Sequence, residues 1–210
     1  MTPAGPPQVA GLLLAAGAGR RFGGPKALVR FGDRLLVERG VDVLRRGGCD
    51  PIVVVLGAGA SQVLAAADLT PAQVVVNSEW PQGMGSSLRA GLSALHAGAA
   101  DAVVVALVDQ PLVGHQAVLR LRDAWWERRL PAAVASYGGA PRNPVLLDRA
   151  VWDDVAAQAM GDQGARGYLE KVREHVVAVA CDDTGRPDDV DTPQDLDDLS
   201  NRVRQERQCS

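Results

Sequence analysis

Residues 12–26 read Leu-Leu-Leu-Ala-Ala-Gly-Ala-Gly-Arg-Arg-Phe-Gly-Gly-Pro-Lys, and this stretch decides the fold that the sequence predicts. The apolar run that leads into this stretch begins at Val9 and is typical of a strand buried on both faces of a sheet. The glycines that follow let backbone N–H groups approach an anion closely, because no Cβ stands in the way. Arg20, Arg21 and Lys26 add the positive charge that a phosphate chain needs. The stretch therefore predicts a phosphate-binding loop after the first strand.

Two familiar nucleotide-binding motifs do not fit this loop. The dinucleotide fingerprint has a third glycine three residues after the second, but Phe22 stands at that place. The strand that follows ends in no acid that would take a ribose. The nucleotide P-loop reads Gly-Lys-Ser/Thr, whereas Pro25 separates Gly24 from Lys26 here. A plain glycine-rich connection between a strand and a helix remains the alternative interpretation.

Strand and helix patterns alternate along the rest of the chain. Apolar and β-branched runs predict strands at 9–16, 51–56, 74–77, 102–108, 132–137, 143–147 and 176–181. Helical spacing predicts helices at 35–46, 60–67, 86–97, 115–129, from 149 onward, up to 173, and at 194–207. Such alternation is typical of βαβ units, so we expect an α/β fold with a mostly parallel sheet between two layers of helices.

Length and composition narrow the class of protein. A chain of 210 residues suits one domain, which we expect at 9–204, with a flexible tail at 1–8 and a second tail at 205–210. The net charge of −3 disfavours nucleic-acid binding, which needs a basic face. No apolar run approaches the ~20 residues that cross a bilayer, and no export signal is evident. Three cysteines, without metal-ligand spacing, favour a reducing compartment, so we expect a cytoplasmic protein.

A carboxylate follows one of the most apolar predicted strands. Ligands of parallel α/β sheets lie at the carboxyl ends of the strands, which selects the glycine-rich loop, residues 77–85 and Asp109. A carboxylate at the end of a buried strand is costly unless it meets a cation or hydrogen-bond donors. A magnesium ion that carries the phosphates of a nucleotide would meet this need. The alternative is that Asp109 caps the helix that begins near Gly114.

A second carboxylate is predicted to be held rigidly near the end of the chain. Five aspartates crowd residues 182–191, and most residues in such acidic runs are solvated. Asp191 differs, because Thr192 is a candidate N-cap and Pro193 suits the first position of a helix. Asp109 and Asp191 would suffice for one Mg²⁺ that keeps waters and nucleotide oxygens as its other ligands. The sequence leaves Asp189 open as the alternative second ligand.

Residues 161–166, Gly-Asp-Gln-Gly-Ala-Arg, form a further unusual stretch. As structure, the stretch predicts a turn followed by the start of a helix. As function, it offers N–H groups and the guanidinium of Arg166 to a second anionic ligand. The sequence leaves both interpretations open.

Taken together, the motifs resemble one family. Residues 14–26, 83–88, 109–111, 161–166 and 191–193, in this order, resemble the molybdenum cofactor cytidylyltransferases. This family belongs to the wider nucleotidyltransferases, whose sheet is Rossmann-like, and the resemblance spans roughly residues 9–200. The guanylyltransferase relatives usually read Leu-Ala-Gly-Gly in the first loop. This chain has Ala16 at that loop and Asp109-Gln110-Pro111 later, which is similar to the cytidylyl branch.

The resemblance implies a role for each matching residue. Nucleotide binding is implied for Leu14, Ala15, Ala16, Gly17, Ala18, Gly19, Asn77, Gly83 and Ser87, with Gly83 and Ser87 facing the cytosine. Arg21 and Lys26 would bind phosphates, with Lys26 nearest the α-phosphate. Asp109 and Asp191 would hold Mg²⁺, which makes Arg21, Lys26 and Asp109 the catalytic set. Arg142, Asp162 and Arg166 would contact the acceptor.

The resemblance implies transfer of CMP from CTP to the terminal phosphate of molybdenum cofactor, with release of pyrophosphate. A phosphate nucleophile is already anionic near pH 7, so the reaction needs no general base. Two alternatives stay open: a nucleotidyltransferase that uses GTP or another acceptor such as a sugar phosphate, and a non-catalytic carrier of the cofactor. The expected partners are CTP, molybdenum cofactor, and a molybdenum hydroxylase or its insertion protein.

Overall fold

A seven-stranded sheet forms the centre of the computed structural model, which describes residues 7–208. The strands of the chain are β1 (Val9–Ala15), β2 (Arg30–Phe31), β3 (Arg34–Leu35), β4 (Ile52–Leu56), β5 (Gln73–Val76), β6 (Ala102–Leu107), β7 (Ala132–Tyr137), β8 (Ala140–Asp148) and β9 (Val176–Ala180). The large sheet has the order β5-β4-β1-β6-β8-β7-β9, and β2 pairs with β3 separately. Only β8 runs antiparallel to its neighbours within this sheet, so the predicted mostly parallel sheet is confirmed.

Helices cover both faces of the sheet, as predicted. They are α1 (Leu36–Arg46), α2 (Ala60–Ala66), α3 (Met84–His96), α4 (His115–Arg128), α5 (Trp152–Gln158), α6 (Arg166–Lys171) and α7 (Pro193–Gln208). One face packs mainly against α1, α4 and α7, and the other against α3, α5 and α6. None of the helices within residues 7–208 is both long and apolar enough to span a membrane.

Strand β1 joins the two cores because successive side chains of a strand point to opposite faces. Leu13 packs in the core under α1, and Leu12 packs in the core under α3. Both helices approach the strand closely at a glycine. A Cβ on Gly40 of α1 would lie 2.7 Å from the side chain of Leu13, and one on Gly91 of α3 would lie 2.3 Å from that of Leu12. These glycines allow the helices to seat directly on the first strand.

Several element bounds differ from the predicted ones. Helix α3 begins at Met84, two residues before the expected start, and its N-cap is Gly83. The difference arises because Gly83, at φ +103°, can turn the chain into the helix. Strand β8 begins at Ala140, since the two-residue turn at Gly138-Gly139 is shorter than expected.

The ends of the chain are described in part. Helix α7 continues to Gln208, past the expected domain end at 204. Residues 1–6 and 209–210 of the two predicted tails lie outside the described residues. The predicted extent of the single domain stays a prediction.

Candidate active site

A cleft of about 420 Å³ opens at the carboxyl ends of β1 and β6, next to the glycine-rich loop and the start of α3. The predicted site residues that line it are Leu14, Ala16, Gly17, Ala18, Gly19, Arg21, Lys26, Gly83, Ser87, Asp109, Asp162 and Asp191. They come from five separate parts of the sequence. The rule that ligands bind where parallel strands end therefore located this cleft correctly.

The glycine-rich loop turns tightly around Gly19. The N–H groups of Phe22, Gly23 and Gly24 donate to the carbonyl oxygen of Gly19 at 2.9, 2.9 and 3.2 Å. Gly19 has φ +58°, and a Cβ there would lie 2.0 Å from the carbonyl oxygen of Gly24. Any larger residue would therefore open the turn. The N–H groups of residues 22–24 are thus bonded within the loop, and residues 16–21 form the part that lines the cleft.

Lys26 joins the two carboxylates that the sequence assigned to a metal. Its Nζ donates to Asp109 Oδ2 at 2.9 Å and to Asp191 Oδ1 at 2.6 Å. The other oxygen of Asp191, Oδ2, lies 2.9 Å from Arg21 Nη2. We refer to Arg21, Lys26, Asp109 and Asp191 as the charged wall of the cleft. It contains two cations and two anions in direct contact.

Short local structures hold each member of the charged wall. Lys26 begins a 3₁₀ helix, Lys26–Leu28, which Pro25 precedes as its N-cap. The backbone N–H of Val190 donates to the carbonyl oxygen of Asp109 at 2.8 Å, so the segment before α7 is tied to the end of β6. Asp109 does not cap α4, because the N-cap of that helix is Gly114, which makes no side-chain cap bond.

The start of α7 fixes the backbone of Asp191 as the sequence predicted. Asp195 Oδ2 accepts from the N–H of Asp191 at 3.0 Å and of Thr192 at 2.7 Å. The N–H of Asp195 donates in turn to Thr192 Oγ1 at 3.2 Å. This reciprocal pair is a capping box with an aspartate in place of the usual glutamate. Asp191 therefore stands on a rigid support directly before a helix.

The charges of the wall shift one another's ionisation. Burial alone would lower the pKa of Lys26, but the charges of Asp109 and Asp191 and the hydrogen bonds to them outweigh it and raise that pKa. The hydrogen bond from Lys26 lowers the pKa of Asp191, and the charge of Arg21 acts in the same direction. Burial raises the pKa of Asp189, and the neighbouring charges of Asp109 and Asp191 add to that rise. Lys26 and Asp191 are thus both held in their charged forms.

The donor set at the charged wall suits a hard divalent cation. Asp109 and Asp191 offer carboxylate oxygens within hydrogen-bond distance of one atom, and carboxylates are the ligands that Mg²⁺ takes from proteins. Asp189 instead accepts from Gln110 Nε2 at 2.9 Å. Among residues 7–208, no three His, Cys, Asp or Glu side chains gather closely enough to hold a metal by themselves. Two carboxylates therefore fit an ion whose other ligands are phosphate oxygens and waters.

A second part of the cleft lining is formed around the start of α3. We refer to Gly83, Met84, Ser87 and Asp162 as the α3 wall. The N–H of Met84 donates to Asp162 Oδ1 at 3.3 Å, and a Cβ on Gly83 would lie 2.5 Å from the carbonyl group of Gly161. The segment that contains residues 161–164 thus lies directly against the first turn of the helix.

A buried polar group supports the α3 wall from behind. Asn77 is buried and its Nδ2 donates to Ser86 Oγ at 2.9 Å and to Ser87 Oγ at 3.1 Å. Ser86 Oγ donates to backbone carbonyls of Glu79 and Gly83, both at 2.9 Å. Asn77, predicted to bind the nucleotide, therefore lies behind the cleft surface, where it orients the two serines.

Two predicted acceptor residues lie apart from the cleft lining. Arg142, on β8, contacts the carbonyl oxygen of Pro141, and Arg166 pairs with Glu170 at 2.7 Å on the exposed side of α6. Asp162 alone of the three predicted acceptor residues lines the cleft. The local sequence of 161–166 could not reveal this, because the turn sends Asp162 inward and the following helix turns Arg166 outward.

The sequence selected residues 77–85 as a segment of the site but did not single out every residue of the lining. Trp80, Pro81, Met84, Leu107 and Val108 also line the cleft. Trp80 packs on the loop after β4, where a Cβ on Gly57 would lie 2.6 Å from the Cβ of Trp80. A signal was present, since Trp80 and Met84 stand in the glycine- and proline-containing segment that follows a predicted strand.

Comparison with known proteins identifies one family, although one of the relatives carries the name of an oxidoreductase. A family model described as MobA-like NTP transferase domain matches residues 11–180. The chain is 41% identical over 196 residues to a Paenarthrobacter nicotinovorans protein named nicotine blue oxidoreductase, with 90% of this chain and 95% of the relative covered. It is 34% identical over 200 residues to a molybdenum cofactor guanylyltransferase of Cereibacter sphaeroides, with 89% and 92% covered.

A solved structure from Mycobacterium tuberculosis H37Rv shares the fold. It is the protein Rv0371c in complex with manganese, 32% identical to this chain. The two superpose with a TM-score of 0.78, over 92% of this chain and 98% of the other.

Proposed function

The chain belongs to the family of MobA-like NTP transferase domains and is a nucleotidyltransferase by that membership; we propose that it moves CMP from CTP to the terminal phosphate of molybdenum cofactor, with Mg²⁺ and with release of pyrophosphate. The observation that carries this proposal is the charged wall, where Lys26 contacts Asp109 and Asp191 beside a glycine-rich loop. Such an arrangement neutralises phosphate charge, which is the main requirement of this class of reaction.

The residues of the charged wall have separate tasks in the proposed reaction. The ammonium of Lys26 offsets the negative charge that grows as the acceptor oxygen approaches the α-phosphorus. Arg21, with 72% of its side chain exposed, can exchange its contact with Asp191 for the leaving pyrophosphate. Asp109 and Asp191 would hold Mg²⁺, which when bound neutralises phosphate oxygens and orients them. A phosphate acceptor carries its own negative charge, so no side chain needs to remove a proton.

The choice of CTP is supported by the polar groups of the α3 wall. Ser87 is buried and lines the cleft, and its hydroxyl is oriented by the amide of Asn77. Leu14, Ala16 and Gly17 also line the cleft. We assign the base to this slot, because a fixed hydroxyl and backbone groups can read the edge of cytosine. A site of this kind discriminates against bases that leave its polar groups unpaired.

Molybdenum cofactor as the acceptor is supported by the relatives. The Cereibacter sphaeroides protein is named for guanylyl transfer to that cofactor and matches nearly the whole chain. Its name equally favours GTP as a second candidate donor, with the same acceptor and the same charged wall. The product would then pass to a molybdenum hydroxylase or to the protein that inserts the cofactor into it.

A reductase is the second candidate function, favoured by the Paenarthrobacter nicotinovorans relative at 41% identity. The glycine-rich loop could receive the pyrophosphate of a dinucleotide cofactor, although Phe22 stands where the fingerprint has its third glycine. The salt bridges from Lys26 to two carboxylates serve no evident purpose in a hydride transfer. We therefore rank this function below nucleotidyl transfer.

One set of assays separates these functions. The purified protein is incubated with Mg²⁺, molybdenum cofactor and each of the four nucleoside triphosphates, and pyrophosphate release is measured. We expect release with CTP, and faster release from GTP would instead assign the chain to guanylyl transfer. Parallel incubation with NADH or NADPH and nicotine blue, followed at 340 nm, tests the reductase. Oxidation of the reduced cofactor without any pyrophosphate release would overturn the proposed function.

A further inference from the structure

Lys26 occupies the space between the two carboxylates of the charged wall. Its Nζ lies 2.9 Å from Asp109 Oδ2 and 2.6 Å from Asp191 Oδ1, and only 14% of its side chain is exposed. Arg21 contacts the remaining oxygen of Asp191 at 2.9 Å. The carboxylates that would hold a metal are therefore already bound to cations of the chain itself.

The charges of the four side chains of this wall balance one another. Two carboxylates face one ammonium and one guanidinium, so a divalent cation that enters alone gains little attraction and meets two like charges. A metal–nucleotide complex differs, because its triphosphate brings negative charge for Lys26 and Arg21 to bind. We propose that Lys26 is an internal counter-ion that closes the metal site until the nucleotide arrives, so that metal and nucleotide enter as one unit.

The chemistry of lysine suits this exchange of partners. Its ammonium is a compact point charge on a flexible stem with rotatable bonds, so it can leave two carboxylates for a phosphate without moving the backbone. Pro25 and the 3₁₀ helix Lys26–Leu28 hold that backbone in place. The released oxygens of Asp109 and Asp191 would then be available to the metal. This inference rests on the proposed metal-dependent nucleotidyl transfer and adds the order in which its components bind.

The proposal makes binding of metal and nucleotide mutually dependent. A nucleotide that draws Lys26 away raises the affinity for metal, and the metal must raise the affinity for nucleotide by the same factor. Removal of the ammonium should therefore tighten the binding of metal without nucleotide and reduce the effect of nucleotide on the affinity for metal. A purely structural salt bridge would produce neither effect.

The test measures Mn²⁺ binding by the loss of the free-ion electron paramagnetic resonance signal. The protein is titrated without nucleotide and again with CTP, as wild type and as Lys26→Gln, and the signal loss that CTP alone causes without protein is subtracted. We expect Lys26→Gln to bind Mn²⁺ alone at least about tenfold tighter than wild type, since one charge within ~4–6 Å changes an ionic equilibrium by one to three powers of ten. CTP should tighten Mn²⁺ binding strongly in wild type and much less in Lys26→Gln.

Two further variants keep the test decisive. Lys171→Gln removes the only other lysine of the chain, exposed at the end of α6, and should match wild type. Arg21→Gln removes the more exposed cation of the wall and should tighten Mn²⁺ binding by a smaller factor, which provides a second reading if Lys26→Gln fails to fold. Circular dichroism confirms the fold of each variant.

The outcomes separate this inference from the proposed function. Equal affinity of wild type, Lys26→Gln and Arg21→Gln for Mn²⁺ alone would overturn the counter-ion role, while CTP-dependent Mn²⁺ binding and pyrophosphate release would leave the proposed function intact. Failure of every variant to bind Mn²⁺ even with CTP, together with no pyrophosphate release, would overturn both.

Discussion

The charged wall and the α3 wall face the same cleft but are held in place by different interactions. In the charged wall, side chains far apart in the sequence neutralise one another, as in the contact of Lys26 with Asp191 at 2.6 Å. In the α3 wall, backbone groups meet at close range, as where Gly83 touches the carbonyl of Gly161. The first wall depends on charge, and the second depends on close packing at a glycine and on hydrogen bonds from Asn77 and to Asp162.

This difference indicates how the two walls respond to a ligand. Ionic contacts with part-exposed partners can exchange one partner for another at small cost, because water and incoming ions screen and replace them. Close backbone packing cannot adjust without shifting a whole segment. We therefore expect the charged wall to rearrange during catalysis, while the α3 wall remains a fixed surface that selects the base.

The largest effect should follow from loss of one carboxylate of the charged wall. Asp109→Asn keeps the shape of the side chain and removes its charge, so the fold should persist. We expect kcat for pyrophosphate release to fall by about 10²-fold or more, the usual loss when charge stabilisation at a reacting centre is removed. Asp123→Asn, an exposed change on α4, is the matched control. Retention of more than about a tenth of the wild-type rate would contradict the metal role.

The two cations of the charged wall should differ from each other. Lys26→Ala should lower kcat by about 10- to 100-fold and raise KM for CTP by a smaller factor, because its charge stabilises the transition state more than the bound nucleotide. Arg21→Ala should change both kcat and KM by smaller factors, since a mobile guanidinium also binds the ground-state phosphates. Steady-state kinetics at saturating metal give the comparison. A rise in KM alone for Lys26→Ala would show uniform binding and disprove the assignment.

The α3 wall should be sensitive to a single methyl group. Gly83→Ala places a Cβ 2.5 Å from the carbonyl of Gly161 at φ +103°, so the segment must move. We expect a loss of stability of about 1–3 kcal/mol and a rise in KM for CTP of about tenfold. Gly138→Ala is the matched control, because Gly138 has φ +58° but no atom near the new Cβ. Equal KM values for the two variants would show that the α3 wall does not select the base.

The smallest effect concerns the pH dependence of stability. Lys26→Gln should lower the free energy of unfolding by about 1 kcal/mol near neutral pH, because its partners are part-exposed. Because the pKa of Asp191 is lowered in the folded protein, the contribution of Asp191 to the free energy of unfolding is lost as pH falls below about 4, through the folded-state pKa. Because the pKa of Lys26 is raised in the folded protein, the contribution of Lys26 to the free energy of unfolding is lost as pH rises beyond about 10.4.

Urea unfolding of wild type and Lys26→Gln across this range checks the prediction. The difference between the two proteins should be widest between about pH 5 and 9 and narrow at both ends. Lys171→Gln should show no such profile. A constant difference at all pH values would indicate that Lys26 contributes packing alone.

Much of the fold was predictable because local patterns carry it. Three of these patterns span only a few residues each: the apolar run of β1, the glycines after it, and the Thr192-Pro193 start of α7. Their spacing alone therefore indicated a buried strand, a tight loop and a helix cap. The rule that ligands bind where parallel strands end then placed Asp109 at a site before any contact was known.

Other features depended on packing that no local pattern records. The antiparallel direction of β8, the inward position of Trp80 and the outward position of Arg166 follow from how whole elements stack. Residue type alone could not distinguish Arg166, which faces solvent, from Arg21, which faces the cleft.

The sequence by itself determined which charges this protein has near its strand ends, since Lys26, Asp109 and Asp191 each follow from local motifs. Only the tertiary structure decided that they touch. Lys26 lies 83 residues from Asp109 and 165 from Asp191 along the chain, and their contact exists because β1 and β6 are neighbours in the sheet and α7 begins beside them. Local periodicity of the sequence determines a single helix or strand, whereas contact between distant side chains depends on how all the elements pack around one core.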